Sequence, residues 1–196
     1  MKDPDLLLTV RRVVQVFDDL AIPYYIGGSI ASSLYGMARS TIDVDLVADI
    51  EPRHIMALMD RLSKNYYIDE TTIVDAINRN SSFNLIHLET SIKLDVFIPR
   101  DEIYHHTAMG RRHRDTLFEE DKIIEIYFCS SEDIIINKLQ WYEDGGGISE
   151  RQWLDVLGVI KVQADSLDKG YLQHWSKELG IFKLVERAFE EAGVSL

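Results

Sequence analysis

The chain has 196 residues, 46% of them hydrophobic and 28% charged, with 11 Gly, 4 Pro, a single Cys and a formal net charge of −12. This is the composition of a folded globular chain of one compact domain, or one domain with a small helical extension, able to bury roughly 70% of its unfolded surface. It excludes a disulfide framework and a cysteine zinc site within one chain, opposes undirected binding to phosphate backbones, and contains no apolar run of the ~18 residues that a membrane span needs.

In chain order, Asp3-Pro4 is a helix-start signal, and Leu7, Val10, Val13, Val14, Phe17 and Leu20 recur at three and four, so residues 4–20 read as an amphipathic helix. Acids precede this short apolar stretch and Arg11-Arg12 follow it, the wrong charge order for a signal peptide, and a cytoplasmic location is expected. Pro23 ends the segment. Tyr24–Ile26 then forms a short strand into Gly27-Gly28-Ser29, with a helix over 30–35. Residues 43–50 alternate acid and apolar as a strand does, and 52–64 have helical spacing. A short strand at 66–69, a helix over 72–78 and an antiparallel hairpin of 83–89 with 92–98 follow. Residues 112–129 add one or two strands. From Ser130 the pattern turns helical: a capping serine, a helix over 133–142, a Gly145-Gly146-Gly147 break and three further helices. The expectation is an α+β fold, with a mixed sheet domain over 1–129 and a helical region over 130–196 packed on it.

Three stretches carry chemistry. Side chains two apart on a strand share a face, so Asp43 and Asp45 present two carboxylates together while Val44 and Leu46 face the core. Asp95 lies between Leu94 and Val96 on another strand, which a neighbouring position in the sheet would bring beside that pair. Three unpaired carboxylates about 4 Å apart would repel by roughly 4 kcal/mol per pair at an effective dielectric of 20, a sign that a bound divalent cation reverses. Mg2+ is the expected ion and Mn2+ an alternative, because carboxylates combined with substrate phosphates suit a hard cation. Gly27 and Gly28 let the backbone approach a phosphate, and Ser29 adds a hydroxyl where helix N–H groups favour an anion. Lys93 shares the strand face of Asp95 and either enters the site or neutralises part of its charge.

Gly27-Gly28-Ser29, followed by Asp43-Val44-Asp45 and then Asp95, resembles the nucleotidyltransferase superfamily that includes DNA polymerase β. The series Gly27-Gly28-Ser29-Ile30-Ala31 with Arg39, Thr41, Asp43, Asp45 and Leu46 is similar to the small bacterial AbiEii-type and related nucleotidyltransferases, some of which are toxins of toxin–antitoxin pairs. The resemblance implies an enzyme that moves a nucleoside monophosphate from a nucleoside triphosphate to an acceptor hydroxyl. Asp43, Asp45 and Asp95 would be its catalytic and metal-holding residues, and Gly27, Gly28, Ser29, Arg39 and Lys138 would bind the nucleotide. Segment 131–139 resembles the group's helix carrying an acid and a lysine, with Asp133 near Lys138, and Arg151 with Asp155 stands at the i, i+4 spacing of its following helix. The acceptor is left open between a small molecule, a protein and a tRNA end. An antitoxin partner is possible on this reading, no membrane partner is expected, and the net charge disfavours tRNA.

Other readings remain beside this one. A protein of the same fold could bind a nucleotide or partner without catalysis, since fold does not imply function. Asp43-Val44-Asp45 also matches the Asp-x-Asp of glycosyltransferases, which leaves Gly27-Gly28-Ser29 and Asp95 unexplained. The basic run Arg111, Arg112, His113 and Arg114 reads as a solvated strand edge or a phosphate contact. His105, His106 and His113 lack the spacing of a metal site, and Trp141, Trp153 and Trp175 read as packing residues.

Overall fold

The computed structural model describes residues 4–37, 43–119 and 122–196, with backbone alone at 4–8, 117–119 and 122–124. Two compact units emerge: residues 1–27 with 40–128, and residues 28–39 with 129–196.

The first unit is built on a mixed sheet. Its strands are β1 (Tyr24–Ile26), β2 (Val44–Ala48), β3 (Tyr66–Tyr67), β4 (Ser82–His87), β5 (Lys93–Phe97), β6 (His113–Glu119) and β7 (Lys122–Phe128), in the order β3-β4-β5-β2-β1-β7-β6. The pairs β2–β5 and β1–β7 are parallel and the others antiparallel. Alternation drives the burial: in β2, Val44, Leu46 and Ala48 are buried and the residues between them are not, and β5 repeats this with Leu94 and Val96.

Helices α1 (Pro4–Asp19), α3 (Ile55–Leu62), α4 (Glu70–Arg79) and α5 (Ile103–Arg111) belong to the same unit. The apolar stripe read in α1 is the buried one, with Val13, Val14 and Phe17 closed off from solvent. The expected helix over 52–64 divides into a 3-10 turn at Pro52–His54 and α3, as fits a proline at the first helical position. Asp69 caps α4 by accepting from the Thr72 N–H at 2.8 Å, so this helix starts earlier than its apolar spacing suggested. Periodicity predicts no helix over 103–111, where α5 lies.

The second unit holds α2 (Gly28–Tyr35), α6 (Ser131–Asp144), α7 (Glu150–Gln163), α8 (Lys169–Glu178) and α9 (Phe182–Ala192). Ser130, the capping serine expected from the sequence, accepts a backbone N–H at the start of α6, and Ser149 and Asp168 do the same for α7 and α8. Helix α2 joins this unit through a close approach of backbones. A Cβ at Gly36 would lie 2.8 Å from the Val159 nitrogen and 2.9 Å from the Gly158 carbonyl carbon.

Candidate active site

The register of the first unit's sheet assembles the aspartates. Asp45 and Asp95 are direct partners across the parallel β2–β5 pair, and Asn84 faces Asp95 across the antiparallel β4–β5 pair. On the other side of β2, the Gly27 N–H donates to the Asp45 carbonyl at 2.9 Å. Asp45, Asp95 and Asn84 therefore form one row across β2, β5 and β4, continued by Gly27 just past the end of β1. Gly27 is buried, and a Cβ there would meet the Tyr25 ring at 3.9 Å, an ordinary contact. Asp43 precedes β2 by one residue and is exposed.

Lys93 sits on the same face. Its Nζ is 2.8 Å from Asp95 Oδ2, with the two side chains 43% and 18% exposed. The hydrogen bond to Asp95, reinforced by the negative charges of Asp95, Asp43 and Asp45, raises the lysine's pKa above its ordinary value. One ammonium thus feels all three carboxylates. Among the described residues, no three His, Cys, Asp or Glu side chains are gathered closely enough to hold a metal ion. The donor chemistry nevertheless suits a hard divalent cation, since Asp45 and Asp95 offer carboxylate oxygens from neighbouring positions on one sheet and Asp43 stands one residue before β2.

The remaining candidates for the nucleotide site lie in the second unit or outside the described residues. Gly28 opens α2 at φ +54°, in the left-handed region that favours glycine. Lys138 on α6 is 2% exposed, and its ammonium donates to Asp155 Oδ2 at 2.8 Å and to Gln152 Oε1 at 2.9 Å. Lys138 is thus no surface lysine, and Asp155 pairs across helices with it. Asp133 is fully buried; it accepts from the Ser130 hydroxyl and from the Tyr171 hydroxyl, both at 2.7 Å. Gln152 and Tyr171 had no signal in the sequence, because their partners lie on other helices. Arg39 falls outside the described residues.

The basic run is engaged within its own unit. Arg112 and Arg114 lie over the Tyr127 ring, 4.8 and 4.9 Å from its centre, and Arg114 pairs with Glu125 at 3.0 Å. His106 contacts Asp101 at 2.7 Å, while burial pushes the His105 pKa down. Both histidines line a cavity of about 200 Å³ with Asp49, Ile98 and Arg100. This cavity lies past the carboxyl ends of β2 and β5, and Asp43, Asp45 and Asp95 take no part in it. Trp153 is a packing residue: it is buried against Tyr142 and beneath the Arg187 guanidinium, and its indole N–H donates to Glu191 at 2.7 Å.

Comparison with solved structures identifies the architecture. An antigenic nucleotidyltransferase-like protein from Paracoccidioides brasiliensis superposes with a TM-score of 0.55 at 20% identity, over 96% of this chain and 92% of that one. The chain has the nucleotidyltransferase fold. The antibiotic-resistance factor ANT(2'')-Ia in solution superposes at a TM-score of 0.51 and 12% identity, over 95% of this chain and 99% of its own. Its crystal structure in complex with adenylyl-2''-tobramycin also gives 0.51, at 14% identity, over 85% and 92%. Neither the scan of protein-family models nor the search of curated proteins found a match, so the likeness to nucleotidyltransferases is one of fold. No described helix is long and apolar enough to cross a membrane.

Proposed function

We propose that the protein is a nucleotidyltransferase that moves a nucleoside monophosphate from a nucleoside triphosphate to an acceptor hydroxyl and releases pyrophosphate. The observation that carries this reading is the pairing of Asp45 with Asp95 on adjacent strands of a nucleotidyltransferase fold. The acceptor oxygen forms the new bond to the α-phosphorus as the bond to the β-phosphate oxygen breaks, and the pyrophosphate leaves with that electron pair. Asp95 takes the acceptor's proton. Asp43 and Asp45, with Asp95, would hold Mg2+ or Mn2+, which supplies charge neutralisation at the phosphates. Gly27, Gly28 and Ser29 would hold the triphosphate, with Arg39 and Lys138 assigned to the nucleotide on the strength of the sequence resemblance.

The acceptor belongs to one of three classes, a small molecule, a protein side chain or a tRNA end. A net charge of −12 weighs against the last. A toxin role with an antitoxin partner, in the cytoplasm, is the finer reading that the AbiEii-type resemblance suggests. Co-purification of a neighbouring gene's product with the chain would test it.

Thermal stability and pyrophosphate release, measured with each ribonucleoside triphosphate with and without Mg2+, test the proposal. A ligand at 100 times its dissociation constant stabilises by about 2.7 kcal/mol. The expected result is a magnesium-dependent rise with at least one triphosphate, lost in Asp45→Asn while the metal-free melting curve keeps its cooperativity. An Asp45→Asn protein with the full response would refute the assignment. Binding without pyrophosphate release in the presence of acceptors of all three classes would favour a non-catalytic nucleotide-binding protein.

A further inference from the structure

We propose that Lys93 is a built-in counter-cation of the acidic row, bound to Asp95 before any divalent ion arrives and exchanged for that ion when it does. The inference rests on the proposed function only in taking Asp43, Asp45 and Asp95 as the cation's ligands.

Three observations converge on it. The Lys93 ammonium is 2.8 Å from Asp95 Oδ2, so it occupies one of the oxygens that a cation would need. The sheet places Asp95 directly beside Asp45, so a second carboxylate neighbours the one that Lys93 holds. With 43% of its side chain exposed, Lys93 has solvent on one side and can swing away on four methylenes without unpacking any core residue. Leu94 and Val96, which flank Asp95, are fully buried and fix the strand while the side chain exchanges partners.

The exchange makes opposite predictions for the two states of the site. Lysine stabilises the metal-free protein by relieving carboxylate repulsion, and it weakens metal binding because it must be displaced and then remains as a nearby like charge. Lys93→Gln removes the charge and Lys93→Arg keeps it. With Mn2+ alone as the probe, titrated calorimetrically into the full chain, Lys93→Gln is expected to bind about tenfold more tightly than the parent. Its metal-free melting temperature is expected to fall, and Lys93→Arg should resemble the parent in both measurements. Equal Mn2+ affinity in all three proteins, with binding lost in Asp45→Asn, would overturn the exchange while leaving the metal site in place. Absence of Mn2+ binding from every variant would overturn the exchange together with the metal assignment. A triphosphate response measured on the same samples separates that second outcome from failure of the nucleotide site.

Discussion

Lys138 and Asp155 form a buried ion pair, 2% and 8% exposed, joined by Gln152. Desolvation of two charges costs several kcal/mol, and the attraction offsets it only while both partners are present. Lys138→Met is therefore expected to lower stability by about 3–5 kcal/mol in chemical denaturation, because it leaves Asp155 buried without its countercharge. Adding Asp155→Leu should recover much of that loss, and a double variant no more stable than the single one would show that the pair is not the source. How far individual residues were legible follows from the range of their interactions. Asp43, Asp45 and Asp95 could be read from the sequence because a strand's period of two assigns each to a face. Lys93 and Asp95, two apart on one strand, are legible as neighbours in the same way, whereas the partners of Lys138 on α7 and of Asp133 on α8 depend on which helices meet. The resemblance marks Lys138 as a nucleotide-binding residue and gives no sign of its buried partners on α7.

Helices α7 and α9 are fastened by a small polar cluster. Glu191 accepts from the Trp153 indole N–H at 2.7 Å and from Arg187 Nε at 2.8 Å, and these bonds, the indole's first, hold its carboxyl below the ordinary glutamate range. A carboxyl depressed on folding adds stability above its unfolded pKa and loses it as pH falls through the folded one. Melting temperature is therefore expected to decline as the solution is acidified below the usual glutamate range. Glu191→Gln should flatten this part of the pH profile, and an unchanged profile would remove the cluster from the account. Most elements followed from periodicity and caps, and α5 shows where that fails. Only Tyr104 and Ala108 of this helix are buried, and polar His105, His106 and Thr107 separate them, so too few apolar positions recur to mark a helical face.

At the scale of the molecule, the change of pattern near residue 130 marks where the first unit's last strand ends, but α2 groups with the helices that follow it. Local spacing shows that α2 is a helix without showing what it packs against; that is decided by the approach of Gly36 to the backbone at Gly158 and Val159. A fragment ending at residue 129 is therefore expected to expose the buried face of α2, including Ile30 and Ala31, to bind an apolar dye and to melt without a sharp transition. A cooperative melt of the fragment would show that α2 is carried by the first unit. The sheet order was likewise beyond sequence reasoning, because the parallel β2–β5 pairing joins strands separated by the helices α3 and α4 and the strands β3 and β4.

Cys129 stands at the start of the second unit's long C-terminal segment. It is wholly buried, its thiol is pushed well above the ordinary range by desolvation and by the charge of Asp133, and its carbonyl accepts from the Tyr35 hydroxyl at 2.6 Å. Because it is the chain's sole sulfhydryl, an alkylating reagent has one address, and that address is closed in the native state. The rate at which the reagent is consumed thus becomes a clock for opening of the helical unit, readable without a label, a mutation or knowledge of the substrate.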